Sequence, residues 1–265
     1  MKKIHCLLLM FVVIPTASHS QSLEADGKAV PIHSERISLL AGTGAAAVSD
    51  RYISSQRYEG PISAFAAGWT SIHDSVQTSV ALELRHGSHI ANHGLDAVLY
   101  NGGFEWSQGR PRSVWTLFDR PLVVSTGPFA GVQMHGRYQQ VANRDYFSKF
   151  LSYLLLFHGG IQGNAAMSVA HSTSLTSEAH LELLSMGFRT VDVTSPTNNA
   201  EQPSTIKILT PFVQQHLHFA IGIQQSFDTG VDVSLRYRFH FLRNAAWDEL
   251  RDAEDLVEMT VGYAW

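Results

Sequence analysis

The chain has 265 residues with a formal net charge of −4, and 16% of them are charged, below the quarter or so usual in soluble domains. Mean hydropathy is −0.03. No basic patch or stripe is present, which argues against nucleic acid as a partner. The single cysteine, Cys6, leaves no room for a disulfide framework or a thiolate metal site.

The chain opens on Lys2 and Lys3, an apolar run from Leu7 to Ile14, Pro15 and the small residues Thr16, Ala17, Ser18 and Ser20. This is the pattern of a secretory signal peptide over residues 1–20, with cleavage expected after Ser20. Loss of Lys2 and Lys3 takes the net charge from −4 to −6. Cys6 precedes the apolar run and is not placed to anchor a lipoprotein. Residues 21–36, with Gly27 and Pro31, form a polar lead-in, and residues 37–265 carry the remaining pattern.

That pattern is one of strands. Ile37 to Val48 is small and apolar, and Asp50 to Pro61 reads as a loop. Ile62 to Ile72 and Val76 to His86 read as a hairpin around Asp74. Leu95 to Trp106 and Val114 to Phe118 follow, separated by the turn-rich SQGRPR, with Trp106 and Trp115 flanking it as an interfacial girdle would. Leu122 to Tyr138 is one bent strand or two short ones. Phe147 to Phe157 fits a short helix about as well as a strand, and context favours a strand. Ile161 to Leu175, His180 to Val193, Thr205 to Val213 and Leu217 to Phe227 are further strands, and Asp228 to Gly230 is a tight turn. No run after the leader nears the roughly 20 apolar residues of a spanning helix, whereas a barrel strand needs only about 9 to 11.

The last two strands carry the clearest signal. Val231, Val233, Leu235, Tyr237, Phe239 and Phe241 alternate with Asp232, Ser234, Arg236, Arg238 and His240. After a charged loop from Arg243 to Asp255, the chain ends with Val257, Met259, Val261, Tyr263 and Trp265 on one face of a strand and Glu258, Thr260, Gly262 and Ala264 on the other. Apolar outside, polar inside and aromatic at the edge is the arrangement a closed sheet needs in lipid. The expected fold is therefore all-β, an antiparallel transmembrane β-barrel of about twelve strands, with ten to fourteen possible. With the C-terminus on the periplasmic side, this count puts the long SPTNNAEQPS loop on the side where turns are short.

The ending VGYAW resembles the C-terminal targeting strand of Gram-negative outer-membrane barrels. The stretches YISSQRYEG, GRYQQVANRDYFSKF and YRFHF make the mature chain similar to small Bacteroidota outer-membrane barrels of unknown function. The resemblance implies Sec export, insertion by the barrel-assembly machinery, and lipid and lipopolysaccharide of the cell outer membrane as partners. It implies no activity and no cofactor, and it leaves the oligomeric state unknown.

Two groups of residues could carry chemistry. Arg236, Arg238, His240 and Glu258 point into the lumen from adjacent strands, as a plug of paired side chains or as a charged constriction. In RHGSHIANHG, His86, His89 and His93 have a spacing that suits a helix or loop better than a strand, so no metal is assigned to them. On a strand His86 and Ser88 would share a face, which resembles the His-x-Ser-Asn strand of the outer-membrane lipid A deacylases. His89 stands where that family has Asn, and no Glu follows at the family's place, Glu105 being the nearest downstream. The resulting expectation is a non-enzymatic outer-membrane barrel, structural or a narrow channel. The alternatives are a lipid A ester hydrolase using His86 and Ser88, and a soluble periplasmic β-protein whose apolar faces pack on each other.

Overall fold

A computed structural model describes residues 33–50, 56–92, 94–142, 147–170, 172–194, 205–246 and 250–265; the signal peptide and most of the lead-in lie outside the described residues. The strands are β1 (His33–Asp50), β2 (Arg57–His73), β3 (Val76–Asn92), β4 (Leu95–Leu117), β5 (Arg120–Ala142), β6 (Phe147–Ala170), β7 (Thr173–Thr194), β8 (Thr205–Leu209), β9 (Gln214–Ser226), β10 (Val231–Asn244) and β11 (Leu250–Ala264). Each pairs antiparallel with its neighbours. β6 pairs with β7 and β11 with β1, so every strand except β8 belongs to a closed ring of ten. Backbone bonds in both directions between Glu35 and Trp265, 3.1 and 3.0 Å, finish the seam.

The ring of ten lies within the expected range, and the strands merged in it explain the higher count. SQGRPR is not a turn: Ser107–Arg112 continue β4, and the turn falls at Phe118 and Asp119, both at positive φ. Trp106 and Trp115 therefore do not bracket a turn. Trp106 instead shares one ladder of paired positions with Val80, Trp69, Ile37 and Tyr263, an apolar row across five strands in which aromatic and aliphatic residues alternate. The two strands expected from Phe147 to Phe157 and from Ile161 to Leu175 are likewise merged in β6, which runs through to Ala170, with Thr173–Leu175 already in β7.

β8 takes the upper part of the place beside β7, and β9 takes the lower part. Leu209 pairs with Ser185, and Leu217 with Leu181. The two therefore occupy one position in the ring, which corrects the parity: β7 ends at Thr194 on the side of the barrel opposite Glu35 and Trp265, and the SPTNNAEQPS segment that follows lies outside the described residues. The start of β1, the C-terminal Trp265, the Asp74–Ser75 and Phe118–Asp119 turns and the Phe227–Gly230 turn share one end, the turn end; the opposite end is the loop end. The charged stretch before the last strand is shorter than its charges suggest, because Arg251 to Asp255 already belong to β11. Asp252 and Glu254 point inward and are fully buried.

Strand alternation sorts the side chains. Val257, Met259, Val261, Tyr263 and Trp265 face outward, each more than 40% exposed. So do Leu82 and Leu84 on β3, Leu217, Ile221 and Ile223 on β9, and Leu235 and Tyr237 on β10. On β11 this apolar face begins just past Asp255, which accepts a hydrogen bond from the Tyr237 hydroxyl, and runs to Trp265. Nine residues of tilted strand match the band of about 25 Å that a barrel presents to hydrocarbon. The soluble alternative required these faces to cover one another, but in a closed ring they point away from each other. On β7 the alternation breaks at Leu183: Gly159 pairs with Leu184 and Gly160 with Glu182. This β-bulge turns Leu183 and Leu184 both outward and lets Glu182 and Ser185 both point in.

Candidate functional site in the lumen

The lumen is layered. Toward the loop end two apolar clusters pack in the interior, with Ala46, Val48, Tyr58, Ile62 and Leu256 on one side and Leu154, Leu156, Leu209, Leu242 and Leu250 on the other. This interior seal departs from the polar-inside expectation. Buried polar side chains are interleaved with it, among them Gln139, Ser152, Gln214 and Asn244, so the loop half of the lumen is filled by both kinds of side chain.

A charged layer begins level with the seal, where Asp252 pairs in register with Val48 and Leu242, and continues toward the turn end. Arg85 is ion-paired with Glu254, which also accepts a hydrogen bond from Asn101 Nδ2 at 2.9 Å. Arg137 reaches Asp252 at 3.1 Å, with His135 Nδ1 at 3.6 Å from the same carboxylate. Glu258, fully buried, is met by Arg236 at 2.6 Å and by Arg238 at 2.7 Å, and Arg238 also pairs with Glu83. Arg236, Arg238, His240 and Glu258 thus sit on the inward faces of β10 and β11, but only the two arginines touch Glu258. His240 instead faces His216, Nε2 to Nε2, at 2.7 Å. Two glycines make room for this layer: a Cβ at Gly42 would lie 2.7 Å from Glu258 Cγ, and one at Gly222 would lie 2.6 Å from Arg236 Cβ.

Beside the charges lies a group of histidines of which the sequence singled out only His240. His158 on β6, His180 on β7, His216 and His218 on β9 and His240 on β10 converge with Glu178 and Glu182. Each strand supplies one or two of them, so no short motif marks the group. Glu182 Oε2 is 2.9 Å from His216 Nδ1 and 3.7 Å from His158 Nδ1. His180 is 2.9 Å from Glu178 and 3.4 Å from Glu105.

Toward the turn end the lumen opens into a cup of about 540 Å³. Small and polar side chains line its wall, including Ser38, Thr70, Ser79, Ser107 and Asn164, and Glu83, Arg85, Glu178, His218 and Arg238 line it toward the charged layer. Arg36 and Asp232 form an ion pair beside it.

His86 lies on β3 facing outward. Its Nδ1 is 3.2 Å from the Leu99 carbonyl, and its ring stacks on Tyr100 at 4.8 Å. The β3–β4 register shifts between Gly87 and Ile90, which interrupts the alternation that would set His86 and Ser88 on one face. The Ser88 and His89 side chains and all of His93 lie outside the described residues.

An outward apolar band on a closed antiparallel ring, with buried ion pairs inside it, defines the fold of an outer-membrane β-barrel. The sequence matches no protein-family model and no curated protein. Among solved structures the chain is similar to the translocator domain of the autotransporter NalP from Neisseria meningitidis, with a TM-score of 0.52, 10% identity and coverage of 86% of this chain and 88% of that one. It also aligns with the outer membrane protease OmpT from Escherichia coli (TM-score 0.45, 10% identity, 88% and 96% covered) and with the attachment invasion locus protein Ail of Yersinia pestis (0.32, 8%, 87% and 99%).

Proposed function

We propose that this protein is a non-enzymatic barrel of the outer membrane, exported by the Sec pathway and closed to free solute flow, with its cup open to the periplasm. The observation that carries this reading is the filling of the loop half of the lumen by packed apolar side chains and buried ion pairs, in which Leu154, Leu156, Leu242 and Leu250 are no more than 1% exposed. A conducting pore needs a continuous wet path, and both layers interrupt one. The turn-end position of the cup makes it periplasmic, since periplasmic turns are short in such barrels. In this reading the exposed Val257–Trp265 face addresses the barrel-assembly machinery, and lipid and lipopolysaccharide surround the band.

Conductance tests it directly. Purified barrel in a planar bilayer is expected to give no steady conductance steps, while a variant with Leu156, Leu242 and Leu250 all changed to Gly gives small ones. Steady openings in the unmodified protein would overturn the closed reading and establish the narrow channel. The ester-hydrolase alternative has its own test. Lipid A from cells with the protein, without it and with Ser88→Ala is expected to have identical acylation by mass spectrometry; loss of one acyl chain that depends on Ser88 would make the protein an esterase.

A further inference from the structure

The histidine group behind the cup has the composition and spacing of a metal site. We propose that the lumen binds a divalent transition-metal cation of the zinc class through His158, Glu182 and His216, admitted from the cup past Glu178, His180 and His218. This goes beyond the barrel reading and does not depend on whether the lumen conducts.

Geometry comes first. Bonds of about 2 Å at tetrahedral angles hold the ligand atoms of a zinc ion roughly 3.3 Å apart. The nitrogens of His216 and His158 lie 2.9 and 3.7 Å from Glu182 Oε2, on either side of that spacing. One potential ligand atom from each of the three residues falls within 4.8 Å of the others, and all three residues are buried. Two imidazoles and one carboxylate are a borderline donor set, which favours zinc, nickel, cobalt or copper over the all-oxygen cations magnesium and calcium.

An independent observation points to a ligand. His158 is only 5% exposed, yet neither ring nitrogen has a hydrogen-bond partner. Buried polar atoms are normally satisfied, and a buried imidazole aimed at a carboxylate it does not bond is an exception that calls for a cause. A cation between them supplies one.

The surroundings are those of a held ligand. Glu182 Oε1 accepts a hydrogen bond from Gln214 Nε2 at 2.6 Å, and Gln214 Oε1 accepts one from Asn244 Nδ2 at 2.7 Å, so the carboxylate is fixed by its second oxygen. With Nδ1 of His216 on the cation, its Nε2–H donates to His240 Nε2 at 2.7 Å, which sets the tautomer. Partners of this kind orient the ligands of metal sites. Access is short: Glu178 and His218 line the cup and form, with His180, a second group of three two to four residues along the same strands.

The test uses untagged barrel, folded in detergent, stripped with chelator and dialysed against zinc alone, with bound metal measured by mass spectrometry and affinity by titration calorimetry. One zinc retained per chain is expected. His158→Gln, Glu182→Gln and His216→Gln should each weaken it by ten-fold or more, while the unboiled gel mobility of the folded barrel is kept. Cobalt in place of zinc should give the visible absorption of a tetrahedral site, and this should be absent in His158→Gln. His86→Gln, on the outward face of β3, should bind as the parent does. The proposal is overturned if the parent retains no zinc, if the His158→Gln, His216→Gln double variant binds as the parent does, or if only His180→Gln and His218→Gln abolish binding.

Discussion

Glu258→Ala is expected to destabilise the barrel by about 3–5 kcal/mol, the range for breaking a buried ion pair by removing one partner. Glu258 is fully buried and faces two arginines, at 2.6 and 2.7 Å. Without it Arg236 keeps only the more distant Glu178, at 3.5 Å, while Arg238 keeps Glu83. Most of the loss should therefore come through Arg236. The double variant Glu258→Leu, Arg236→Met, which removes the charge and its main dependent together, should recover a large share of the stability. Urea unfolding in lipid vesicles, followed by tryptophan fluorescence, measures both. Equal instability of the single and double variants would show that the charged layer is not held by local pairing.

Val261→Arg should cost about 2–4 kcal/mol in a bilayer, the figure for a cation on the lipid face at mid-depth. Val261 lies midway along the Val257–Trp265 face, opposite Leu39 on β1 and Val233 on β10. The cost should fall toward either edge, so that Val257→Arg and Tyr263→Arg are milder, because a long side chain there brings its charge to water. A face meeting water would tolerate all three changes within about 0.5 kcal/mol. The depth profile, measured by the same unfolding experiment, thus separates a lipid face from a wet one.

Strand periodicity was legible wherever the two faces differ in polarity. From Val231 to Phe241 and from Val257 to Trp265 the two faces alternate without a break, so the outward and inward sets there were assigned from the sequence, including the inward Arg236, Arg238, His240 and Glu258. Legibility failed where both faces are apolar. In β6, Leu154 and Leu156 fill the inner seal while Tyr153 and Phe157 face outward. The run YLLLF therefore has no period of two and imitates a helix. Turn chemistry misled in SQGRPR, where Gly109 and Pro111 are accommodated within a long strand and the pairing with β5 shifts register just after Pro111. The histidine group was invisible for a different reason. Its ligands come from β6, β7 and β9, and which residues meet depends on the register between strands, helped by a bulge at Leu183 that periodicity cannot supply.

The seam between β1 and β11 sets this fold's order of assembly. Every other junction of the ring joins strands adjacent in sequence, apart from the short β8, and each can form as a local hairpin. The seam joins Arg36 to Ala264, and contacts of such separation carry the largest loop-closure entropy in the chain. Until it closes, Arg36 cannot reach Asp232, nor Arg85 reach Glu254, so these charges must wait in water or against a helper. The uncompleted sheet has two bare edges, at the first strand and the last, and a protein that guided this chain into a membrane would need to hold those two edges until they met.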